Sequence, residues 1–463
     1  MSFASLEFVI FFLIVFGGTA VIQRFFSDRA KQSFLLVSSY FFYGWWDWRF
    51  CFLLFFVTIV SWMTAKKTRN KIVYVIGTIV PLIVLGFFKY FNFFLSSAML
   101  VLGENHGALN IILPVGISFY TFQALSYVVD VHRGKLQAEE DFIKLALYLS
   151  FFPQLVAGPI VKATDFLPQL REERSITMGH LKYGIQLIAF GLFKKIVLAD
   201  HISIFVDDVY RAPVAFHWAT IVLACVSYSI QIYFDFSGYS DIAIGCACCL
   251  GYHFKRNFNL PYLSKDMTEF WHRWHISLST WLKDYLYIPL GGNRKGRMRQ
   301  YLNLFLTMLL GGLWHGADWT FMVWGGINGL ALCIDKMLPK KERQNFMLQV
   351  VSNIITFIFI TFTWIFFRAE NFSSAWEIIR GIFTLQDGIV QPFFWAFAGI
   401  VVLLGSTIVA AVKSGSKDIA DVDGYYPVID LNCMGGQVLF FVFCGLILGL
   451  AYTGEHPFVY FQF

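Results

Sequence analysis

The sequence predicts an all-α polytopic membrane protein, with about 11 transmembrane helices plus re-entrant or interfacial helices. Of its 463 residues 57% are hydrophobic and only 14% are charged, whereas soluble domains have about 25% charged residues. Phenylalanine alone contributes 53 residues, more apolar surface than a soluble globule of this length can bury. The apolar runs are long and continuous, which excludes the weak alternation of an outer-membrane barrel.

Each predicted span is an apolar run near the length of about 20 residues that crosses a bilayer. The shortest runs, 33–46, 89–103 and 300–314, are expected to be tilted, partial or re-entrant. Glu7 at the start of the first run, with no basic segment before it, argues against a signal peptide. The candidate spans are 6–23, 33–46, 50–65, 72–88, 89–103, 111–129, 142–160, 183–199, 217–234, 300–314, 319–335, 350–367, 393–412 and 437–453.

The net charge of +6 is interpreted as a signal for membrane orientation and not as a nucleic-acid surface. Basic residues follow the first span at Arg24, Arg29 and Lys31, and both this cluster and the one at 66–71 are cytoplasmic if the N-terminus lies outside. No soluble segment pairs these charges with base-stacking aromatic residues. The cysteine cluster at 246–249 has no partner segment with ligand spacing, so we predict packing residues and no metal site.

Residues 265–285 have the pattern of one strongly amphipathic helix. Eight apolar residues share one arc, six polar residues occupy the other, and His275 lies at the boundary. Such a helix lies along the membrane interface or lines a wet cavity, and both interpretations are open. The apolar set is Met267, Phe270, Trp271, Trp274, Leu278, Trp281, Leu282 and Tyr285, and the polar set is Lys265, Thr268, Glu269, His272, Ser279 and Lys283.

Two other segments place polar groups inside apolar runs, where each ionisable residue is a functional candidate. His315 ends an apolar run between Gly312 and Gly316, and glycines allow the close approach of a backbone or ligand. An imidazole can take a proton near neutral pH, although a hydrogen-bonded structural histidine remains an alternative. Residues 233–241 bring two acids and several hydroxyls, which predicts either a helix break that lines a cavity or a capping network.

Several motifs resemble those of the membrane-bound O-acyltransferase family, and its bacterial alginate O-acetyltransferase branch in particular. The resemblance runs nearly end to end, and the blocks at 269–293 and 313–316 are its most specific part. The motifs are Leu113–Gln123, Phe152–Pro159, Asp235-Phe-Ser-Gly-Tyr-Ser-Asp241, Asn257-Phe-Asn-Leu-Pro-Tyr-Leu263, Glu269-Phe-Trp-His-Arg-Trp-His-Ile-Ser-Leu-Ser-Thr-Trp-Leu-Lys-Asp-Tyr-Leu-Tyr-Ile-Pro-Leu-Gly-Gly-Asn293, Leu313-Trp-His-Gly316, Phe366-Phe-Arg-Ala369 and Tyr460-Phe-Gln-Phe463.

The resemblance implies a single membrane domain over residues 1–463, with helices around a central tunnel and a catalytic core at 230–330. The family's invariant histidine falls on His315 and its second histidine on His275. Relatives often carry a further histidine where this chain has Asn328, which cannot serve as a base. The resemblance also implies a cytoplasmic thioester donor, expected to be acetyl-CoA, with no bound cofactor, and an extracytoplasmic polysaccharide or SGNH-type partner in the cell membrane.

The expected reaction is the transfer of an acyl group to a hydroxyl, with His315 as general base. His275 would orient His315 or donate to the oxyanion, and the basic cluster 294–299 would hold an anionic donor or only signal orientation. The predicted substrate-binding residues are Trp271, Trp274, Trp314, Asp235, Asn259, Arg294 and Lys295.

Two alternative functions remain open at this point. A transporter without chemistry would explain intramembrane acids, but transporters of that kind show paired broken helices in two similar halves, and no such symmetry is visible. A teichoic-acid D-alanyl transferase would use a carrier-protein thioester in place of acetyl-CoA.

Overall fold

The first half of the chain forms helices that begin at polar capping residues and continue through the apolar runs. The computed structural model describes residues 1–103, 109–156, 158–338, 346–414 and 429–454. Ser5, Ser27 and Asn70 accept hydrogen bonds from the first turns of the helices that follow them. These helices are α1 Leu6–Phe25, α2 Asp28–Asp47, α3 Arg49–Lys66, α4 Lys71–Leu85, α5 Phe91–Leu102, α6 Ile117–His132, α7 Phe142–Ser150, α8 Phe152–Leu155 and α9 Ala163–Arg171.

The second half is also helical, and no strand occurs among the described residues beyond the single bridge Phe216–Ile389. The helices are α10 Met178–Leu192, α11 Asp200–Arg211, α12 Trp218–Cys249, α13 Met267–Arg273, α14 Ile276–Leu282, α15 Arg297–His315, α16 Trp319–Met337, α17 Phe346–Arg368, α18 Phe372–Phe383, α19 Phe394–Ser414 and α20 Met434–Leu450. The prediction of an all-α membrane protein is confirmed at this level.

Within the described part of the chain, five helical segments are long and apolar enough to cross a membrane. They are Leu6–Phe25, Arg49–Lys66, Lys71–Leu102, Trp218–Cys249 and Met347–Arg368. The predicted count of about 11 is therefore not confirmed, since the remaining helices are shorter or more polar. Spans 72–88 and 89–103 were predicted separately, but α4 and α5 are joined by a π-helical turn, Gly86–Tyr90, into one segment.

Another predicted span, 142–160, is wrong as a single helix, because the chain forms the short α7 and α8 instead. Phe151 between them has ψ 112, which a helix does not allow. Pro153 does not cause this break. A proline usually pushes the residue before it out of the helical region, but Phe152, which precedes Pro153, stays in α8. At this turn the Phe152 N–H donates a hydrogen bond to the hydroxyl of Ser39, at 3.2 Å.

Contacts between residues divide the chain into two compact units. The first comprises Met1–Ile188 and Tyr239–Lys255, and the second Ala189–Gly238 and Arg256–Phe463. Our prediction of one domain over 1–463 stays a prediction. In the first unit Phe8, Phe11, Phe42 and Phe152 form an aromatic core, with the Phe11 and Phe152 rings 5.2 Å apart and edge to face.

The second unit holds both candidate histidines, and its helices α15 and α16 pack closely against each other. Glycines on both helices make this possible. A Cβ on Gly312 would overlap the carbonyl oxygen of Phe321, and one on Gly325 would overlap that of Met308. The two backbones therefore approach more closely than any side chain would allow, and this fixes the end of α15, where His315 lies.

Candidate active site

The predicted amphipathic helix is wrong as one continuous helix, because it breaks between Trp274 and His275. α13 ends at Arg273, Trp274 is extended with φ −99 and ψ 130, and α14 begins at Ile276. His275 has φ 41 and ψ 55, a left-handed conformation that is uncommon for residues other than glycine. The helical wheel assumed one unbroken helix axis. Because the helix breaks, the residues of α13 and those of α14 do not share one face.

The loop that carries Asn257 supplies the hydrogen bonds that hold the chain at this break. The Ile276 N–H donates to the Asn257 carbonyl at 2.8 Å, and the Asn259 N–H donates to the Arg273 carbonyl at 2.9 Å. The Asn257 side chain is fully buried, and its Oδ1 lies 3.2 Å from Nδ1 of His275. Backbone groups freed by the break are thus satisfied internally, as a water-poor interior requires.

His315 is the last residue of α15, and its side chain is only 5% exposed. Its ring contacts those of Trp314, Trp324 and Phe367, with centroids 4.9, 5.2 and 5.4 Å away. Gly316 follows, and a Cβ there would overlap the ring of Phe321. The helix end and the aromatic rings together leave the imidazole little freedom.

The structure brings the two predicted histidines together, although forty positions separate them in the sequence. Their ring centroids are 6.4 Å apart, and both side chains are buried. Phe236 packs edge-on against His275 at 4.6 Å, and Trp314 lies within 6.1 Å of the same ring. Aromatic side chains therefore cover much of both imidazoles, and such low-dielectric surroundings strengthen any electrostatic interaction between the imidazoles and a substrate.

A cavity of about 530 Å³ reaches His315, a volume within the range of small-molecule sites. His315 forms part of its wall beside Trp324 and Trp271. Four residues of the predicted polar arc line it as well, namely Thr268, His272, Ser279 and Lys283. Of the two interpretations of the amphipathic segment, these positions favour the one in which it lines a cavity.

The charge of this cavity is one-sided. Lys283, Arg294 and Lys336 line it, and its described lining contains no aspartate or glutamate. Lys283 comes from the π-helical turn after α14, Arg294 from the following loop and Lys336 from the end of α16. An anionic ligand would be attracted to this arrangement, since arginine and lysine bind phosphate and carboxylate groups.

The other predicted substrate-binding residues lie in several places. Trp271 and Arg294 line the cavity, whereas Trp274, Trp314, Asn259 and Lys295 do not. Trp274 is buried against Trp364, with ring centroids 5.1 Å apart. Trp314 packs against both histidines, with its ring centroid 6.1 Å from that of His275 and 4.9 Å from that of His315. Asn259 accepts a hydrogen bond from Arg256, and Lys295 is exposed.

Asp235 lies in an uninterrupted helix, so the predicted break at 233–241 is wrong. α12 runs from Trp218 to Cys249 without a break. The Asp235 carboxylate is buried and 2.7 Å from Nζ of Lys195, which is also 2.7 Å from Asp200. Burial of a charged group requires a partner of this kind, and the ion pair makes a helix break unnecessary.

Sequence reasoning missed several residues that the structure places at the site. Asn257 was noted only as the first residue of the motif 257–263, and Lys336 was not assigned to the site. Phe367, within the motif 366–369, contacts His315. The terminal motif 460–463 lies outside the described residues. These contacts were not visible in the sequence, because residues such as Phe367 and His315 are far apart in the chain.

Comparisons with known proteins show the family to which the chain belongs. The model of the membrane-bound O-acyltransferase family matches residues 38–376. The chain is 40% identical to a probable alginate O-acetylase of Pseudomonas aeruginosa, over 83% of this chain and 75% of that protein. It is 35% identical to a peptidoglycan O-acetyltransferase of Helicobacter pylori, over 82% and 79%. A teichoic acid D-alanyltransferase of Bacillus subtilis is 27% identical, over 58% and 72%.

The matched region includes both histidines, the cavity and all of the blocks at 235–316. Its extent is well over half of the chain, and the identities cover most of the length of the relatives. The apolar helices of the described residues agree with a protein that crosses the membrane more than once. The chain belongs to the membrane-bound O-acyltransferase family and is a multi-pass membrane acyltransferase.

Proposed function

We propose that the protein is an O-acetyltransferase of the cytoplasmic membrane that moves an acetyl group from cytoplasmic acetyl-CoA toward an extracytoplasmic polysaccharide. The observation that carries this proposal is the position of His315, a buried imidazole in the wall of a cavity that is lined by cations. The names of relatives that act on alginate and on peptidoglycan support O-acetylation. The final acceptor is either the polysaccharide itself or an SGNH-type partner that completes the transfer.

In the proposed reaction, the acceptor hydroxyl attacks the thioester carbonyl. A C–O bond forms as His315 takes the hydroxyl proton, and the C–S bond then breaks. The proton passes from His315 to the leaving thiolate, so the histidine returns to its neutral form. His275, 6.4 Å from His315 between ring centroids, orients His315 or donates to the oxyanion.

The donor is proposed to be held by the three cations of the cavity. Coenzyme A carries phosphates, and each charge-assisted hydrogen bond to a phosphate contributes about 1.5–3 kcal/mol. A D-alanyl carrier protein would present a thioester on a phosphopantetheine arm, so it remains the second candidate donor. The lower identity to the D-alanyltransferase, 27% against 40%, favours acetyl-CoA.

Replacing His315 with glutamine tests the role of the base. We expect acetyl transfer to fall by about 10²–10⁴-fold, the usual contribution of general-base catalysis, while expression in the membrane is unchanged. The measurement is transfer of label from acetyl-CoA to the polymer fraction of membranes. His217→Gln is the matched control, because His217 lies in the same unit and is not part of the cavity lining.

Acetylation at the wild-type rate in His315→Gln would exclude His315 as the base. The donor is tested separately with purified protein, which is given either labelled acetyl-CoA or an aminoacyl carrier protein. We expect label to be transferred from acetyl-CoA. Transfer from the carrier protein alone would make the protein a D-alanyl transferase.

A further inference from the structure

We propose that Asn257 is a positioning residue that holds His275 in one tautomer, with hydrogen on Nδ1 and the lone electron pair on Nε2. Asn257 lies in the loop before α13 and is fully buried. Its Oδ1 is surrounded by three groups of one short segment, His275 and the two polar groups of Ser277. The activity tests of this inference rest on the proposed function, whereas the tautomer can be measured without it.

The orientation of the Asn257 amide follows from its neighbours. The backbone N–H of Ser277 can only donate, and it lies 3.1 Å from the atom assigned as Oδ1. Ser277 Oγ lies 2.9 Å from the same atom. If the amide were reversed, its NH₂ group would face the backbone N–H, and two donors would be in contact. The oxygen therefore faces this cluster.

The tautomer of His275 follows from the same oxygen. Nδ1 lies 3.2 Å from Oδ1 of Asn257, and an amide oxygen can only accept. Nδ1 must therefore carry the hydrogen. A neutral imidazole has a single N–H group, so its Nε2 is left with an electron pair. A second oxygen, Ser277 Oγ, lies 3.4 Å from Nδ1. Its own hydrogen goes to Asn257 Oδ1, which is nearer at 2.9 Å, so Ser277 Oγ can only accept from His275.

The backbone makes this arrangement rigid. His275 is the residue with φ 41 at the break between α13 and α14, and strained residues of this kind persist only where the surroundings over-determine them. Hydrogen bonds to the loop at 257–259 lie on both sides of it. Among the described residues, the rings that pack against His275 are those of Phe236, Phe258, Trp314 and His315. Of these four side chains, His315 is the ionisable one.

This tautomer decides between the two roles that His275 has in the proposed reaction. Donation to an oxyanion through Nε2 would need a hydrogen that the neutral ring does not carry there. An Nε2 with an electron pair accepts a hydrogen bond or a proton, so it can orient the acceptor hydroxyl. It can orient His315 only through an intervening group, because ring centroids 6.4 Å apart are too distant for a direct hydrogen bond between the two imidazoles. Asn257 thus acts on the reaction through His275 and does not itself touch the substrate.

The first test measures the tautomer directly. Purified protein with ¹⁵N-labelled histidine is studied by NMR, and the His275 signals are identified by their loss in His275→Gln. We expect a protonated Nδ1 and an unprotonated Nε2 in the wild type, and a mixture of tautomers in Asn257→Leu. A protonated Nε2 in the neutral wild-type protein would overturn the inference.

The second test compares Asn257→Asp with Asn257→Leu. Leucine removes the accepting oxygen, so we expect kcat to fall by about 10²–10⁴-fold, as when the orienting group of a histidine is lost, with an unchanged KM for acetyl-CoA. Aspartate keeps the acceptor and adds a charge that favours the imidazolium. We expect it to restore much of kcat and to move the acid limb of the kcat/KM profile by about one unit or more to higher pH.

Asn371→Asp is the control, because Asn371 caps α18 and aspartate can replace it as a cap; its pH profile should match the wild type. The inference would be overturned by a wild-type kcat in Asn257→Leu together with an unshifted pH profile in Asn257→Asp. Loss of acetyl transfer in His315→Gln would still support the proposed function in that case.

If His315→Gln kept its activity, the proposed function would be wrong, and the NMR result would still decide the tautomer. Should Asn257→Leu not fold, Asn257→Asp and the wild-type spectrum decide alone.

Discussion

One lysine and a group of three basic side chains in the same unit have opposite surroundings. Lys195 is 2% exposed and lies 2.7 Å from the carboxylates of both Asp200 and Asp235. Lys283, Arg294 and Lys336 line the cavity, whose described lining contains no acid. The charge of Lys195 is neutralised by the protein, whereas the charges of the three cavity cations can be neutralised by a ligand. Charges inside an apolar chain can thus stabilise the fold or bind a substrate, and only their partners tell which.

The largest effect is expected from Lys195→Met. Removing one partner of a buried ion pair leaves uncompensated charge and costs about 3–5 kcal/mol, here with two carboxylates left close together. We expect a clear fall in the thermal unfolding temperature of the protein in detergent. Adding Asp200→Asn and Asp235→Asn to Lys195→Met should recover much of this loss, because the buried charge is then gone. An unchanged unfolding temperature in Lys195→Met would show that the ion pair does not stabilise the unit.

An intermediate effect is expected when the cavity cations are neutralised. In Lys283→Gln, Arg294→Gln and Lys336→Gln we expect the KM for acetyl-CoA to rise about tenfold or more, one charge-assisted bond being worth about 1.5–3 kcal/mol. The unfolding temperature should not change, because the described lining of the cavity contains no aspartate or glutamate that would be left unpaired. Acetyl-pantetheine lacks the nucleotide phosphates, so its KM should stay constant in the same variants.

Arg380→Gln is the matched control for these three variants, since Arg380 is an exposed arginine of α18 outside the cavity lining. Equal changes in KM for acetyl-CoA and for acetyl-pantetheine would contradict a phosphate-binding role. In that case the three cations would belong with the orientation signal of the basic loops.

The smallest effect is expected from Glu269→Gln, which removes a half-exposed ion pair. Arg273 lies 2.7 Å from Glu269, and the two side chains are 30% and 24% exposed. Pairs in contact with solvent contribute at most about 1 kcal/mol, so the unfolding temperature should change little, and less than in Lys195→Met. Thermal unfolding of both variants in the same detergent measures the difference, and a loss as large as that of Lys195→Met would remove the distinction drawn from burial.

Only part of the candidate site could be predicted from the sequence. Of the seven predicted substrate-binding residues, Trp271 and Arg294 line the cavity. His275 and His315 were both named from the sequence, but their approach to 6.4 Å between ring centroids is visible only in the structure. Asp235 was assigned to substrate because a buried acid without a visible partner looks functional. Its partner, Lys195, lies forty positions earlier and belongs to another helix, so no local pattern connects them.

The helices show the same division. The apolar run at 217–234 correctly predicted a helix, but polar residues after it suggested a break that α12 does not have. Four of the six residues on the polar arc of the wheel for 265–285 line the cavity, but so do Trp271, Leu278 and Leu282 of the apolar arc, because the helix is broken at His275. Periodicity reports which residues share a face over a few turns, while breaks depend on hydrogen bonds from other segments such as the loop at Asn257.

The sequence by itself determined the class of this protein, its helical architecture and the two histidines that its motifs contain, because the cost of burying polar groups in lipid governs composition directly. The tertiary structure alone decided which charges face the cavity, which are paired inside the protein, and how Asn257 meets His275. These outcomes depend on distances between groups far apart in the chain, and a distance of 3 Å or 10 Å makes the difference between a hydrogen bond and no interaction.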